Sequence, residues 1–181
     1  GDEQVQAHLH FQGGGGHTHM AGLGLIFNVF NREILGDIGY QRNILRKLAN
    51  STLSHNTVTV NRSNQLDVLE YKRLLFGNAE LFVPDMPGLK VMRVDNHKVY
   101  AETTDYRRTL FLMTHDITRP YLVDIFQVTG GEVHDYHLRG GLGTDQDQLL
   151  PADDLAQVTA LPLTPIDEQP TLSSDPNDWL G

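Results

Sequence analysis

Val5-Gln6-Ala7-His8-Leu9-His10-Phe11 alternates, and that alternation decides the fold. In a strand, successive side chains point to opposite faces, so Val5, Ala7, Leu9 and Phe11 share one side while His8 and His10 share the other. The same period of two recurs along the chain. His55 to Asn61 places Val58 and Val60 on one face and His55, Thr57 and Thr59 on the other. Leu25 to Phe30 and Glu33 to Ile38 read as two strands around a turn at Asn31-Arg32. Further strands are expected over Glu80 to Val83, Lys90 to Asp95, His97 to Thr103, Arg107 to Thr114, Tyr121 to Val128, Glu132 to Leu138 and Leu155 to Leu163. The only helix-like stretch is Gln41 to Ala49. Short strands separated by turns predict an all-β chain, an antiparallel β-sandwich.

Composition bounds the rest. The 181 residues suit one domain, and a hydrophobic fraction of 39% supplies a core. The expected division is a β-sandwich domain over 2–163 and an acidic, proline-containing tail over 164–181. Zero cysteines exclude disulfides, thiolate metal sites and a thiol nucleophile. A net charge of -9 argues against nonspecific binding to nucleic acid or to an anionic membrane. Leu23 to Phe30 is too short to span a bilayer, and no signal peptide is visible at the N-terminus. The nine histidines are unevenly placed, with five of them before residue 56.

Two of these five follow the four-glycine run Gly13 to Gly16, as His17-Thr18-His19. On a strand both imidazoles can face one ligand. Asp37 and His55 follow at even spacing. His19, Asp37 and His55 supply two imidazoles and a carboxylate, a common zinc set completed by water or substrate. His8 and His10 form a second such pair, read as a solvent-facing or cleft-facing strand edge. A cupin is excluded: its pattern needs a Glu four or five residues after the second His, and residues 23 and 24 are Leu and Gly.

Three blocks of this sequence resemble the C-terminal β-domain of the heparinase II/III-like polysaccharide lyases. They are Gly-Gly-Gly-Gly-His-Thr-His at 13–19, Arg-Glu-Ile-Leu-Gly-Asp-Ile-Gly-Tyr at 32–40, and Ala-Asn-Ser-Thr-Leu-Ser-His-Asn-Thr-Val-Thr-Val-Asn at 49–61. Weaker similarity continues through Arg108-Thr109-Leu110, Tyr121 to Phe126, Gly130-Gly131 and His134-Asp135-Tyr136. The resemblance implies β-elimination on a uronate-containing polysaccharide of the alginate or heparin/heparan sulfate type. It implies a partner half, an N-terminal α/α-toroid that nothing in this chain matches, so the chain is expected to be inactive alone. It puts a structural zinc on His19, Asp37 and His55, a substrate-facing and catalytic role on His17, and the β-domain tyrosine on Tyr40. The family often has an Asp where this chain has Ala21. Family enzymes are commonly periplasmic or secreted.

β-Elimination removes the C5 proton of a uronate and expels the O4 leaving group, so the carboxylate must be neutralised and a base and an acid supplied. Tyr40 is close in sequence to Arg42, Arg46 and Lys47, which can lower a phenol pKa. Arg42 and Arg46 are candidates to bind the anionic substrate. The competing reading is a non-catalytic carbohydrate-binding or scaffold β-sandwich with a structural metal. The single Trp, Trp179, and the scattered tyrosines form no aromatic strip for stacking sugars.

Overall fold

Period-two alternation is met most fully in the longest strands. The computed structural model describes residues 4–11, 19–39, 46–67, 76–82 and 86–140. The elements are β1 (Val5–Leu9), β2 (Leu25–Val29), β3 (Arg32–Leu35), α1 (Arg46–Asn50), β4 (Val58–Val60), β5 (Asn78–Phe82), β6 (Leu89–Asp95), β7 (Asp105–Met113), β8 (Tyr121–Thr129) and β9 (His134–Tyr136). Short 3-10 turns cover Thr52–Ser54 and His97–Val99. All pairing between the strands is antiparallel, in sheets ordered β1-β2-β3, β4-β9 and β5-β6-β7-β8. This is the expected all-β sandwich. Leu155 to Leu163 and the tail lie outside the described residues.

The core joins the three sheets. Leu9, Leu23, Leu25, Val58, Val60, Val94, Val99, Tyr106 and Leu110 pack as one buried cluster. In β7 the residues Tyr106, Arg108, Leu110 and Leu112 are buried, and those between them are half-exposed. The apolar members of that row drive the burial. β4 is different, because Val58, Thr59 and Val60 are all buried. Its polar face is covered too, and Thr59 Oγ1 lies 2.9 Å from His137 Nε2.

Two local expectations are corrected. The β2–β3 turn falls one residue earlier than Asn31-Arg32, since Val29 pairs with Arg32 and the loop is Phe30-Asn31. Both loop residues have positive φ, 51° and 64°. That is the twist a two-residue hairpin needs, here with a phenylalanine in place of the usual Gly or Asn. His97 to Thr103 is not a strand. Val99 and Tyr100 are adjacent and both buried, which a one-sided strand forbids. Thr103 Oγ1 donates to the carbonyls of His97 and Tyr100 and folds the segment into a compact loop. The described part of Gln41 to Ala49 is helical from Arg46.

Among the described residues, one arginine is carried into the interior. Arg108 is fully buried on β7. Its guanidinium has five N–H donors and all five are used. Nε donates to Asp124 at 3.0 Å. One terminal nitrogen donates to the Leu23 carbonyl at 2.6 Å and to the Asn56 carbonyl. The other donates to Asp124 and, at 3.0 Å, to Tyr136 Oη. The rings of Phe126 and Tyr136 flank it with centroids 5.4 and 5.7 Å away.

Arg108→Ala leaves Asp124 without its cationic partner, takes the guanidinium donor from the buried Leu23 carbonyl, and leaves the Asn56 carbonyl with the Leu25 N–H. Its unfolding free energy in urea is expected to fall by about 3–5 kcal/mol. Arg107→Ala, which breaks a half-exposed pair with Asp105, is expected to cost within about 1 kcal/mol. Burial pushes the Tyr106 phenol up to about 12, against bonds from Thr57 and Gln65 that pull it down. Tyr136 is raised to the same value, first by burial. A raised folded pKa stabilises fully below the unfolded value of 10.0 and is lost as pH rises through about 12. The urea midpoint should therefore hold up to pH 10 and fall between pH 10 and 12.

Candidate metal centre

Three polar side chains reach one point from three irregular segments. His19 lies in the connection before β2, which is anchored by Met20 N–H donating to the Asn50 carbonyl and Leu23 N–H donating to the His10 carbonyl. Asp37 follows β3. Its Oδ1 accepts the Gly39 N–H at 2.7 Å, and Gly39 has a φ of 70°, so the Asp-x-Gly spacing is a turn that fixes the carboxylate. His55 ends the 3-10 turn Thr52–Ser54 and is buried.

His19 Nδ1 lies 3.0 Å from His55 Nε2 and 3.9 Å from Asp37, and His55 Nε2 lies 3.2 Å from Asp37. All three ligand atoms fall within 4.8 Å of one another, a group that can hold a metal ion. A tetrahedral ion with bonds of 2.0–2.1 Å sets its ligand atoms roughly 3.3 Å apart, so the cluster fits one. The other nitrogen of His55, Nδ1, is 2.8 Å from the Ser51 carbonyl. It must donate there, which turns Nε2 towards Asp37 and His19. His55 Nε2, His19 Nδ1 and the Asp37 carboxylate then face one another, an arrangement that can hold a metal ion.

The electrostatics agree. A hydrogen bond from His55 holds the Asp37 carboxyl down at about 2 against the cost of burial, with Gly39 N–H helping. Burial lowers the His19 pKa, the His55 charge lowers it further, and Asp37 opposes both.

Asn56 supports the cluster. Its Nδ2 donates to the Leu25 and Gly36 carbonyls, each at 2.8 Å, and its Oδ1 accepts the Arg139 N–H. One side chain thus ties β2, the residue before Asp37, and the chain after β9 to the residue after His55. Sequence reasoning gave Asn56 no role, although its place directly after His55 marked it.

A cavity of about 250 Å3 opens beside Asp37 and His55, lined further by His8, His10, Ile26 and Asn56. The structure therefore puts His8 and His10 on the cleft side of the strand edge. Burial lowers the His10 pKa, and a hydrogen bond with the Ala21 backbone pulls it the other way. Ala21 is itself buried in the cavity wall. Arg46 is exposed at the start of α1 and does not line this cavity. His17, Tyr40 and Arg42 lie outside the described residues.

A family model described as heparinase II/III-like, C-terminal, matches residues 7–163. Among solved structures, a heparinase III with methylated lysines is similar at a TM-score of 0.51 and 20% identity, over 70% of this chain and 19% of that one. At that identity the likeness is one of fold. Comparison with curated proteins finds no match.

Asn56→Ala removes the bonds to Leu25, Gly36 and Arg139 at once. Urea unfolding should show a loss of at least about 2 kcal/mol, since buried backbone groups are left unpaired.

Proposed function

The chain belongs to the heparinase II/III-like C-terminal family, and from that premise we propose that it is the metal-bearing β-domain of a polysaccharide lyase. The observation that carries this reading is the convergence of His19, Asp37 and His55. Two imidazoles and one carboxylate favour zinc over the hard cations, which prefer all-oxygen sites. Bound there, the ion supplies a local positive charge and cross-links the loop before β2, the turn after β3 and the segment leading into β4. Its role is chiefly structural, and binding stabilises the folded chain by linkage.

The reaction is β-elimination on a uronate-containing polysaccharide of the alginate or heparin/heparan sulfate type. A base takes the C5 proton, the C4–O4 bond breaks, a C4=C5 double bond forms and the leaving O4 takes a proton. Tyr40 is assigned to the proton transfers, and His17 to neutralising the uronate carboxylate or acting as a second acid/base. Both rest on the family resemblance of the blocks that hold them. Arg42 and Arg46 draw in the polyanion, and the exposure of Arg46 supports that role. Local charge matters more than the total of -9.

An α/α-toroid in the same protein supplies the rest of the active site. The chain spans about a fifth of the matched heparinase III, 19% of its length, which supports a larger protein. The family match ends at residue 163, which supports a domain over 2–163 and a separate acidic tail over 164–181. A periplasmic or secreted location follows from the family. Among the described residues no helix is long and apolar enough to cross a membrane.

Dialysis against zinc followed by elemental analysis should give one zinc per chain. His55→Ala or Asp37→Ala should abolish binding, and the milder His19→Ala, at the outer edge of the cluster, should weaken it. No metal at saturating zinc overturns the metal centre. The chain alone should leave alginate and heparan sulfate uncleaved, read by the ultraviolet absorbance of the new C4=C5 bond. Cleavage at a normal enzyme rate overturns the division of the active site between two domains.

A further inference from the structure

Gln65 is a buried polar residue whose amide is committed to a residue far away in sequence. Gly22 N–H donates to its Oε1 at 2.6 Å, and its Nε2 donates back to the Gly22 carbonyl at 2.9 Å. The second Nε2 hydrogen goes to Tyr106 Oη at 3.2 Å. With both donors and the carbonyl oxygen engaged, the amide has one orientation. The approach is so close that residue 22 has to be glycine. A Cβ there would lie 2.7 Å from Gln65 Oε1 and 3.1 Å from Val99 Cγ1.

The backbone of the same residue holds a second segment. Gln65 N–H donates to Thr52 Oγ1 at 2.8 Å, and Oδ1 of the preceding residue, Asn64, accepts the Thr52 N–H at 2.8 Å. Thr52 opens the 3-10 turn that leads into His55, and its carbonyl accepts the His55 N–H at 3.1 Å. Gly22 lies three residues after His19, and Thr52 lies three before His55. Residues 64 and 65 therefore bridge the two segments that carry the imidazoles. Thr57 closes the bridge from the other side of His55, its hydroxyl donating to the Gly22 carbonyl at 3.0 Å. On the near side of His19, Met20 N–H is held by the Asn50 carbonyl at 3.0 Å. On the far side the hold is at Gly22.

We propose that Gln65 is a positioning residue for the His19, Asp37 and His55 cluster. Acting through Gly22 and Thr52 and not as a ligand, it sets the separation of the two imidazoles at which a metal ion is held. Their facing nitrogens lie 3.0 Å apart, close to the roughly 3.3 Å of a tetrahedral site, and metal–ligand distances tolerate only about 0.2 Å. A connection released at Gly22 lets His19 move by more than that. Loss of a group hydrogen-bonded to a metal ligand costs about 10–100-fold in affinity, and Gln65 acts one step further out, so its loss belongs at the lower end, about tenfold. Asp37 is fixed by the Gly39 N–H and not by this bridge, so the change falls on the histidine pair. The proposal rests on the reading of the cluster as a metal centre and adds to it a residue that the ligand pattern does not contain.

The test uses the 181-residue chain and three readouts: zinc affinity by competition against a chromophoric chelator, the visible bands of the cobalt(II)-loaded chain, and urea unfolding of the metal-free chain. Gln65→Met keeps the length of the side chain and removes both amide functions. Gly22→Ala keeps Gln65 and pushes its amide away with a Cβ. Each should weaken zinc binding about tenfold in chain that is still folded, and each should lower the intensity of the cobalt bands as the site departs from tetrahedral. The double variant should bind no more weakly than either single one, because both changes break the same bridge. Thr52→Val, a milder change that removes the acceptor of the Gln65 N–H, should weaken zinc binding about threefold. Leu112→Ala, a core change towards the end of β7, should lower urea stability and leave the zinc affinity and cobalt bands of the folded chain unchanged. Full zinc affinity and unaltered bands in Gln65→Met and Gly22→Ala overturn the role of Gln65, and so does an equal loss in Leu112→Ala. If neither of those two variants folds, Thr52→Val decides, and full zinc affinity there overturns the role. An unsubstituted chain that takes up no zinc overturns the metal centre itself and the role of Gln65 with it.

Discussion

The buried guanidinium of Arg108 is the constraint on which the molecule depends. It belongs to β7 in the four-stranded sheet, yet two of its donors end on the carbonyls of Leu23 and Asn56 in the opposite layer. A charge inside a core is costly unless every donor is met, and here Asp124, Tyr136 and two carbonyls meet all five. Those carbonyls are not arbitrary. Leu23 lies in the same connection before β2 as His19, and Asn56 follows His55. The same side chain that locks the layers together therefore fixes the backbone on two sides of the His19, Asp37 and His55 cluster.

Fixing the backbone matters for what the centre can do. His55 is held through its own Nδ1 on Ser51, through the Asn56 side chain, and through Thr57, whose hydroxyl bonds the Gly22 carbonyl and faces Tyr106 Oη at 3.0 Å. Side chains held this way have little conformational entropy left to lose on taking a ligand. The cluster also cannot relax away from its own electrostatics. With Nδ1 of His55 committed to the Ser51 carbonyl, Nε2 is held facing Asp37 and His19.

The sandwich and the grouping of His19, Asp37 and His55 were legible in the sequence because each rests on a local rule. Strands such as Tyr121 to Val128 alternate as a half-buried strand must, and two imidazoles with a carboxylate name a metal chemistry by residue type alone. Other features were hidden because tertiary contacts decide them. Arg108 reads as one more charge in a strand, and nothing local says that Asp124 and two distant carbonyls will take it inside. The loop at His97 to Thr103 looks like a strand because Val99, Ala101 and Thr103 alternate with polar neighbours. It is turned by the Thr103 hydroxyl capturing two carbonyls. The hairpin at Phe30-Asn31 was displaced by one residue because the strand ladder, not the best turn former, set its position.

Register links stability to the cavity. Leu9 and His10 are consecutive, one in the core and the other at the cavity, so a slip of one residue in the β1–β2 pairing would bury an imidazole and expose a leucine. The pairing is pinned at both ends. Val5 faces Val29 beside the two-residue turn, and His10 exchanges backbone hydrogen bonds with Leu23 and Gly24 at the other end. A bulge between Phe27 and Asn28 then shifts β3 relative to β2, and Phe27 still pairs with Leu35 two residues before Asp37. The extra residue bends the strand and helps to bring the turn that carries Asp37 over the face where His8 and His10 project. Loss of the Leu9 side chain from the core and loss of the imidazole array from the cavity are thus the same event seen from two sides of one strand.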